Sequence, residues 1–327
     1  FRRVLFRSLF SCTRQVAYSA QNPKQEIDMV LFINGIPLIT LELKNPWTGQ
    51  NARYHGQKQY REDRDINQPL LNFGRCLVHM AVDTDEVYMT TKLAGNATFF
   101  LPFNKGHHHG KGNPPNPTGH KSAYLWQEVF TKESLANIIQ HFVRLDGSAK
   151  ELLSKRTLYF PRYHQLDVVR RLIDHASHHG VGQTYLIQHS AGSGKSNTIA
   201  WLAHQLVELR TATDPLTAQF DSIIVITDRR ALDTQIARTI KGYDHVASIF
   251  GHSDNAQELR EYLRRGKKII VTTVQKFPFI LDELGDLSGK KFALLIDEAH
   301  SSQGGKTTAR MHEALGGVTE ENFEEDS

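Results

Sequence analysis

Short runs rich in apolar and β-branched residues punctuate the first half of the chain. Asp28–Ile33 and Pro37–Lys44 read as strands, as do Cys76–Val82, Val87–Thr91 and Phe99–Phe103. Between them, Ala52–Arg64 reads as a polar helix, and Thr131–Leu145 as another with Thr131 as its N-cap. Asn104–Lys121, rich in Gly, Pro and His, is expected to be an exposed loop. The rhythm changes near Leu158. A helix over Arg162–Ser177 is followed by short apolar strands alternating with helices: Thr184–Gln188, helix Lys195–Arg210, Ser222–Thr227, helix Arg229–Ile240, Val246–Phe250, helix Asp254–Arg265, Lys268–Thr273 and Phe292–Asp297. Apolar runs separated by helices predict a parallel sheet covered on both faces. No internal repeat is present. The expected organisation is α/β throughout: a mixed-sheet domain over residues 1–147, a linker over 148–158, and a parallel-sheet, nucleotide-binding lobe over 159–327.

Composition narrows the classes. A chain of 327 residues has room for two domains, and 39% apolar with 23% charged residues can bury a core, which excludes wholesale disorder. The net charge is +4; five acids lie in the last eight residues, leaving +9 on the rest, a balance compatible with a polyanionic partner. Only Cys12 and Cys76 are present, so a disulfide scaffold and a Cys-rich zinc module are excluded, and a reducing, cytoplasmic setting is expected. No apolar run is long enough for a membrane helix. The opening Phe1–Ala20, with four arginines and no acid, is expected to be a strand or helix cut at its start rather than a signal or transit peptide. His107, His108 and His109 are read as a solvated loop, because three adjacent side chains of an extended segment do not converge on one ion.

His189–Ser196 (HSAGSGKS) follows a predicted strand and opens a predicted helix, the setting in which a glycine-rich turn becomes a phosphate loop. The backbone of Ser190, Ala191, Gly192, Ser193 and Gly194 can curl so that several N–H groups face a phosphate. Lys195 would reach the β and γ phosphates of ATP, Ser196 would ligate Mg²⁺, and the helix presents its positive end. His189 stands where the usual pattern has glycine. Downstream, the apolar Phe292–Ile296 ends in Asp297 and Glu298, suited to holding Mg²⁺ and to orienting and deprotonating an attacking water, respectively. Together the phosphate loop and Asp297-Glu298-Ala299-His300 resemble the first RecA-like lobe of superfamily 2 helicases and translocases. That resemblance implies that Gln165, in Arg162-Tyr163-His164-Gln165, reads the adenine edge and that His300 belongs to the nucleotide site. It also implies that Arg229, Arg230 and Lys276 touch the DNA backbone, where charge dominates affinity.

The first domain carries a second constellation. In Leu38–Lys44 (LITLELK), alternation places Glu42 and Lys44 on one face of a strand, with Ile39, Leu41 and Leu43 on the other. With Asp28, this is the D…ExK arrangement of PD-(D/E)XK nucleases, in which two carboxylates carry Mg²⁺ and the lysine positions water or stabilises the phosphorane. Asn34-Gly35 is a hairpin signal. An ideal two-residue turn would pair Asp28 with Leu41 and turn it away from Glu42, so the site requires a one-residue offset that pairs Asp28 with Glu42.

Spacing alone is equally that of an ordinary edge strand. However, Ile33-Asn34-Gly35-Ile36-Pro37-Leu38 followed by Glu42-Leu43-Lys44-Asn45-Pro46 resembles the nuclease segment of type I restriction endonuclease subunits. Gln57 and Tyr60 resemble the Gln/Tyr helix of those subunits, at a spacing one residue shorter, and Ile27 replaces the proline usual before the aspartate. The resemblance, over nearly the whole chain, is to the restriction (R) subunit of type I restriction–modification enzymes. It implies an ATP- and Mg²⁺-dependent translocase and endonuclease cleaving duplex DNA away from the recognition site. The implied partners are methyltransferase (M) and specificity (S) subunits, with AdoMet bound by the partners. Without a second motor lobe, weak ATP binding and poor hydrolysis are expected. The competing readings are another nuclease–helicase fusion in repair or phage defence, and a non-catalytic nucleotide-sensing DNA-binding module.

Overall fold

The computed structural model of the chain describes residues 8–108, 110–148, 150–190, 192–227, 236–240, 249–253, 255–273, 275–276 and 289–297. The chain forms two compact units that divide between Asp167 and Val168.

The first unit is built on a six-stranded sheet with strands in sequence order: β1 (Phe10–Ala17), β2 (Glu26–Ile33), β3 (Ile36–Leu43), β4 (Val78–Val82), β5 (Val87–Thr90) and β6 (Leu101–Pro102). Only β3 and β4 run parallel; every other neighbouring pair is antiparallel. The parallel step needs a long crossover, and residues 44–77 supply it, including two wide helical turns at Ala52–Gly56 and Gln59–Asp63. A central strand covered on both faces loses contact with water on each, and β3 and β4 are accordingly almost wholly buried. Ile27, Val30, Tyr60, Leu71 and Phe100 form the core on one side. Helix α1 (Lys132–His141) starts at Thr131, whose side chain accepts the Ser134 N–H.

The expected helix over Thr131–Leu145 stops early. Arg144–Asp146 (β7) instead pairs antiparallel with Thr157–Tyr159 (β8), and the Arg144 guanidinium lies 4.7 Å from the Tyr159 ring centre. This tertiary pairing overrides the helical preference of the last turn. Residues 147–156 therefore connect the two strands of a hairpin, where the sequence predicted an interdomain linker over 148–158. His107 and His108 lie in the loop between β6 and α1, and His109 falls outside the described residues.

One buried polar chain sets a pH dependence. His79 on β4 and Tyr60 both bond the Thr40 hydroxyl, at 2.7 and 2.8 Å. Complete burial pushes the His79 imidazole down to about 4. The folded state therefore favours neutral histidine. This stabilisation is full above the ordinary histidine value near 6.5 and is lost as the pH falls towards 4. Between about pH 7 and about pH 4, urea unfolding of the wild type should lose about 3 kcal/mol relative to His79→Gln, in which the other titrating groups are unchanged. Equal pH dependence in the two proteins would contradict this assignment.

Helix α2 (Tyr163–His179) crosses from the first unit into the second. The second unit contains a parallel sheet in the order β10 (Phe250–His252), β11 (Ile269–Thr273), β9 (Ser222–Thr227), β12 (Phe292–Ile296). Helices α3 (Lys195–Glu208) and α4 (Ala256–Arg264) pack against it. Ile224, Ile226, Leu259, Leu263 and Ile270 form a core between α4 and the sheet. The run Thr184–Gln188, expected as a strand, is not one; Leu186 is 75% and Ile187 43% exposed. An apolar β-rich run records only that a segment can pair. This one lies hydrogen-bonded to none of the described strands, so its preference goes unused.

Candidate functional site

In the first unit the site begins with the turn. Asn34 and Gly35 both take positive φ, 49° and 78°, as the tight hairpin turn requires, and Ile33 pairs directly with Ile36. The register then shifts between Leu31 and Phe32. Phe32 pairs with Pro37, whereas Leu31 pairs with Ile39 and Met29 with Leu41. Leu38 is thus an extra residue, next to a proline that has no N–H to give a ladder. Continuing the register sets Asp28 opposite Glu42, which is the offset the sequence required.

Thr40, Glu42 and Lys44 then share one face. Asp28 Oδ2 accepts the Leu43 N–H at 2.7 Å and lies 3.8 Å from Lys44 Nζ. The same Nζ is 3.9 Å from Glu42 Oε2 and donates to Gln59 Oε1. Glu42 is fully buried; its Oε1 accepts from Arg64 Nε at 2.8 Å and lies 2.7 Å from Arg64 Nη2. Its Oε2 makes no hydrogen bond among the described residues. Burial, reinforced by the Asp28 carboxylate and opposed by Arg64 and Lys44, pushes the Glu42 carboxyl up to about 8. A buried carboxylate oxygen without a donor, beside a second acid, is chemically suited to a hard cation.

The helical crossover supplies the bracing. Gln57 and Tyr60 were the expected supports. Gln57 Oε1 accepts from Arg61 Nη2 at 3.1 Å, and it is Gln59 that meets the lysine. Tyr60 is fully buried against Thr40. The segment winds in wide turns, with Gly56 N–H on Asn51 O and Arg64 N–H on Gln59 O, and it buries Ala52, Gly56, Gln57 and Tyr60. Gln59 and Arg64 lie on the same side of the segment, and as polar residues of a polar helix they carry no further signal in the sequence. Gly56 is required by proximity, since a Cβ there would lie 2.9 Å from Ala81 Cβ and 3.5 Å from Lys44 Cγ. Gly56→Val should destabilise the protein by about 1–3 kcal/mol in urea unfolding, and an unchanged midpoint would contradict that packing.

In the second unit the two glycines of the expected phosphate loop take left-handed conformations, Gly192 at φ 72° and Gly194 at φ 88°, the latter capping α3. Ser193 N–H bonds Ser190 O at 3.2 Å, closing the turn ahead of Lys195 and Ser196 at the helix start. Helix α3 packs on β9, β11 and β12. Asp297, buried at the end of β12, donates its N–H to Ile226 O at 2.9 Å. The His189 imidazole is pushed down by burial and by nearby Lys195. Gln165, at the start of α2, accepts the Arg162 N–H on its side-chain oxygen at 2.9 Å, a local cap. Lys276 Nζ donates to Ser253 O. Ala191, Arg229, Arg230, Glu298 and His300 lie outside the described residues. No described helix is long and apolar enough to cross a membrane.

Comparisons with known proteins agree with this division. Residues 5–98 match the family described as the type I restriction enzyme R protein N terminus, and residues 164–321 match the SWI2/SNF2 ATPase family. The endonuclease subunit of the type I restriction enzyme HindI of Haemophilus influenzae is 25% identical over 90% of this chain and 28% of its own length. The endonuclease subunit of the Staphylococcus aureus type I restriction enzyme SauCOLORF180P is 24% identical over 91% of the chain and 30% of its own length. That of the Staphylococcus saprophyticus enzyme SsaAORF53P is 23% identical over 90% and 29%. The chain therefore spans under a third of the length of these relatives. With an R-protein match ahead of an ATPase match, and relatives of one kind along nine-tenths of its length, the chain is similar to the endonuclease (R) subunits of type I restriction enzymes.

Proposed function

We propose that the first unit carries a Mg²⁺-dependent phosphodiester-cleaving site of the PD-(D/E)XK kind and the second an ATP-binding RecA-like motor lobe. Together they would serve an ATP-dependent translocase and endonuclease that cuts duplex DNA away from the recognition site, in assembly with methyltransferase and specificity subunits. AdoMet would be held by those partners. One observation carries the nuclease reading: the buried Glu42 oxygen that makes no hydrogen bond among the described residues, beside Asp28 and within 3.9 Å of Lys44 Nζ.

Asp28 and Glu42 would hold Mg²⁺ in the first unit, and Ser196 and Asp297 in the second. When bound, the ion supplies charge stabilisation on the phosphate and a more acidic water. The remaining chemistry belongs to the chain. Lys44, steered by Gln59, offers its ammonium to a phosphate oxygen or to the attacking water, and Tyr60 braces the strand face through Thr40. In the second unit, the backbone of residues 190–194 would cradle the nucleotide phosphates, Lys195 would neutralise them, Glu298 would orient the hydrolytic water and His300 would belong to the nucleotide site. Gln165 addresses the adenine, and Arg229, Arg230 and Lys276 grip the DNA backbone. The test is metal removal. Nicking of supercoiled plasmid should stop on chelation and return when Mg²⁺ is restored, whereas metal-independent nicking would overturn the reading.

A further inference from the structure

Arg64 sits where the nuclease reading has no use for it. Its guanidinium grips Glu42 Oε1 through Nε at 2.8 Å and lies 2.7 Å away at Nη2, and its carbon lies 5.6 Å from the centre of the Tyr18 ring. The side chain is only 8% exposed, so water screens the pair little. With Glu42 ionised, as a bound cation requires, Asp28 and Glu42 contribute two negative charges and Lys44 and Arg64 two positive ones. The cluster is neutral. Its ligands are also few: among the described residues, no group of three His, Cys, Asp or Glu side chains could hold a metal ion. A hard divalent cation takes about six or more oxygen ligands and favours anionic sites. Two carboxylates already neutralised by two cations meet that demand poorly. A DNA phosphate brings both missing elements, an anionic oxygen and a net negative charge.

We propose that Arg64 makes cation capture conditional on DNA. It balances Glu42 so that the site holds a divalent cation weakly alone and firmly once a phosphate has entered. Arg64 is thus a positioning and charge-balancing residue that need not touch the scissile bond. The inference rests on the nuclease reading of Asp28, Glu42 and Lys44. Linkage makes it reciprocal: the factor by which duplex DNA tightens the cation is the factor by which the cation tightens DNA.

The experiment is calorimetric titration of Mn²⁺ into the protein, alone and with a saturating nuclease-resistant phosphorothioate duplex. In the wild type, DNA should tighten Mn²⁺ about tenfold or more. Arg64→Gln keeps a donor for Glu42 but removes the charge; it should tighten Mn²⁺ in the free protein several-fold and shrink the DNA effect by the same factor. Arg64→Lys keeps the charge and should follow the wild type. Cooperative thermal unfolding of each variant checks that it folds. No coupling in the wild type overturns the inference without any variant. So does a Gln variant that binds Mn²⁺ no more tightly than the wild type, or Lys and Gln variants that behave alike. Glu42→Gln separates the two levels. If it abolishes Mn²⁺ binding while the Arg64 variants disobey, only the role of Arg64 falls. If it leaves Mn²⁺ binding intact, the metal-site reading falls and this inference with it.

Discussion

Lys44→Ala should lower Mg²⁺-dependent plasmid nicking by about 10²–10³-fold, the usual loss when a preorganised charge aimed at the reacting phosphate is removed. The expectation follows from how tightly the lysine is placed. Its side chain is 9% exposed, its Nζ lies within 4 Å of both acids, and Gln59 accepts from it. A flexible surface lysine could be replaced by a neighbour or by solvent; this one sits in a slot defined by strand parity and by the packing of Gly56 on its stem. Glu42→Gln should be at least as damaging, because it keeps the shape while removing the charge a cation needs. Matched circular dichroism spectra and matched unfolding midpoints would separate these losses from misfolding. Nicking rates equal to the wild type would assign the cleavage to another protein in the preparation.

Lys195→Ala should weaken ATP binding by about 30–100-fold, measured by titration with a fluorescent ATP analogue in Mg²⁺. The amine sits at the first turn of α3 directly behind two left-handed glycines. There the N–H groups of the loop and the helix end already favour an anion. A charge-assisted contact to phosphate contributes about 2–3 kcal/mol, which sets the expected loss. Mn²⁺ binding to the first unit should be untouched, since Asp28, Glu42 and Lys44 belong to the other compact unit. Unchanged nucleotide affinity would remove the phosphate-loop role from residues 190–196.

Legibility from sequence followed the range of the forces involved. The β9 strand Ser222–Thr227 and the shared face of Glu42 and Lys44 are period-two facts, encoded within a few residues. The pairing of Asp28 with Glu42 was legible one step further out. A hairpin signal and a chemical requirement were compatible only through an irregularity, and the register contains one. Gln59 and Arg64 were not legible, because which polar residues of a helix meet Lys44 and Glu42 is decided by how the crossover packs on the sheet and not by its own pattern. The fate of Thr184–Gln188 was hidden for a related reason. An apolar run announces readiness to pair but does not name a neighbour, and the end of Thr131–Leu145 was decided by Tyr159, fifteen residues beyond Arg144.

The extra residue at Leu38 also dictates where this hairpin can change length. Deleting it would leave Phe32 with Pro37 and Leu31 with Ile39 in an unbroken ladder, so Asp28 and Glu42 would remain partners. The losses would be one buried side chain and the carbonyl that accepts the Leu77 N–H. A deletion anywhere from Ile39 to Leu41 shortens the strand by the same one residue and allows the same ladder, but it moves the side chains between Leu38 and the deletion to the opposite face. A homologue with a regular hairpin should therefore be aligned with its gap at Leu38, and not in the Asn34-Gly35 turn, where a length-minimising alignment would be tempted to put it.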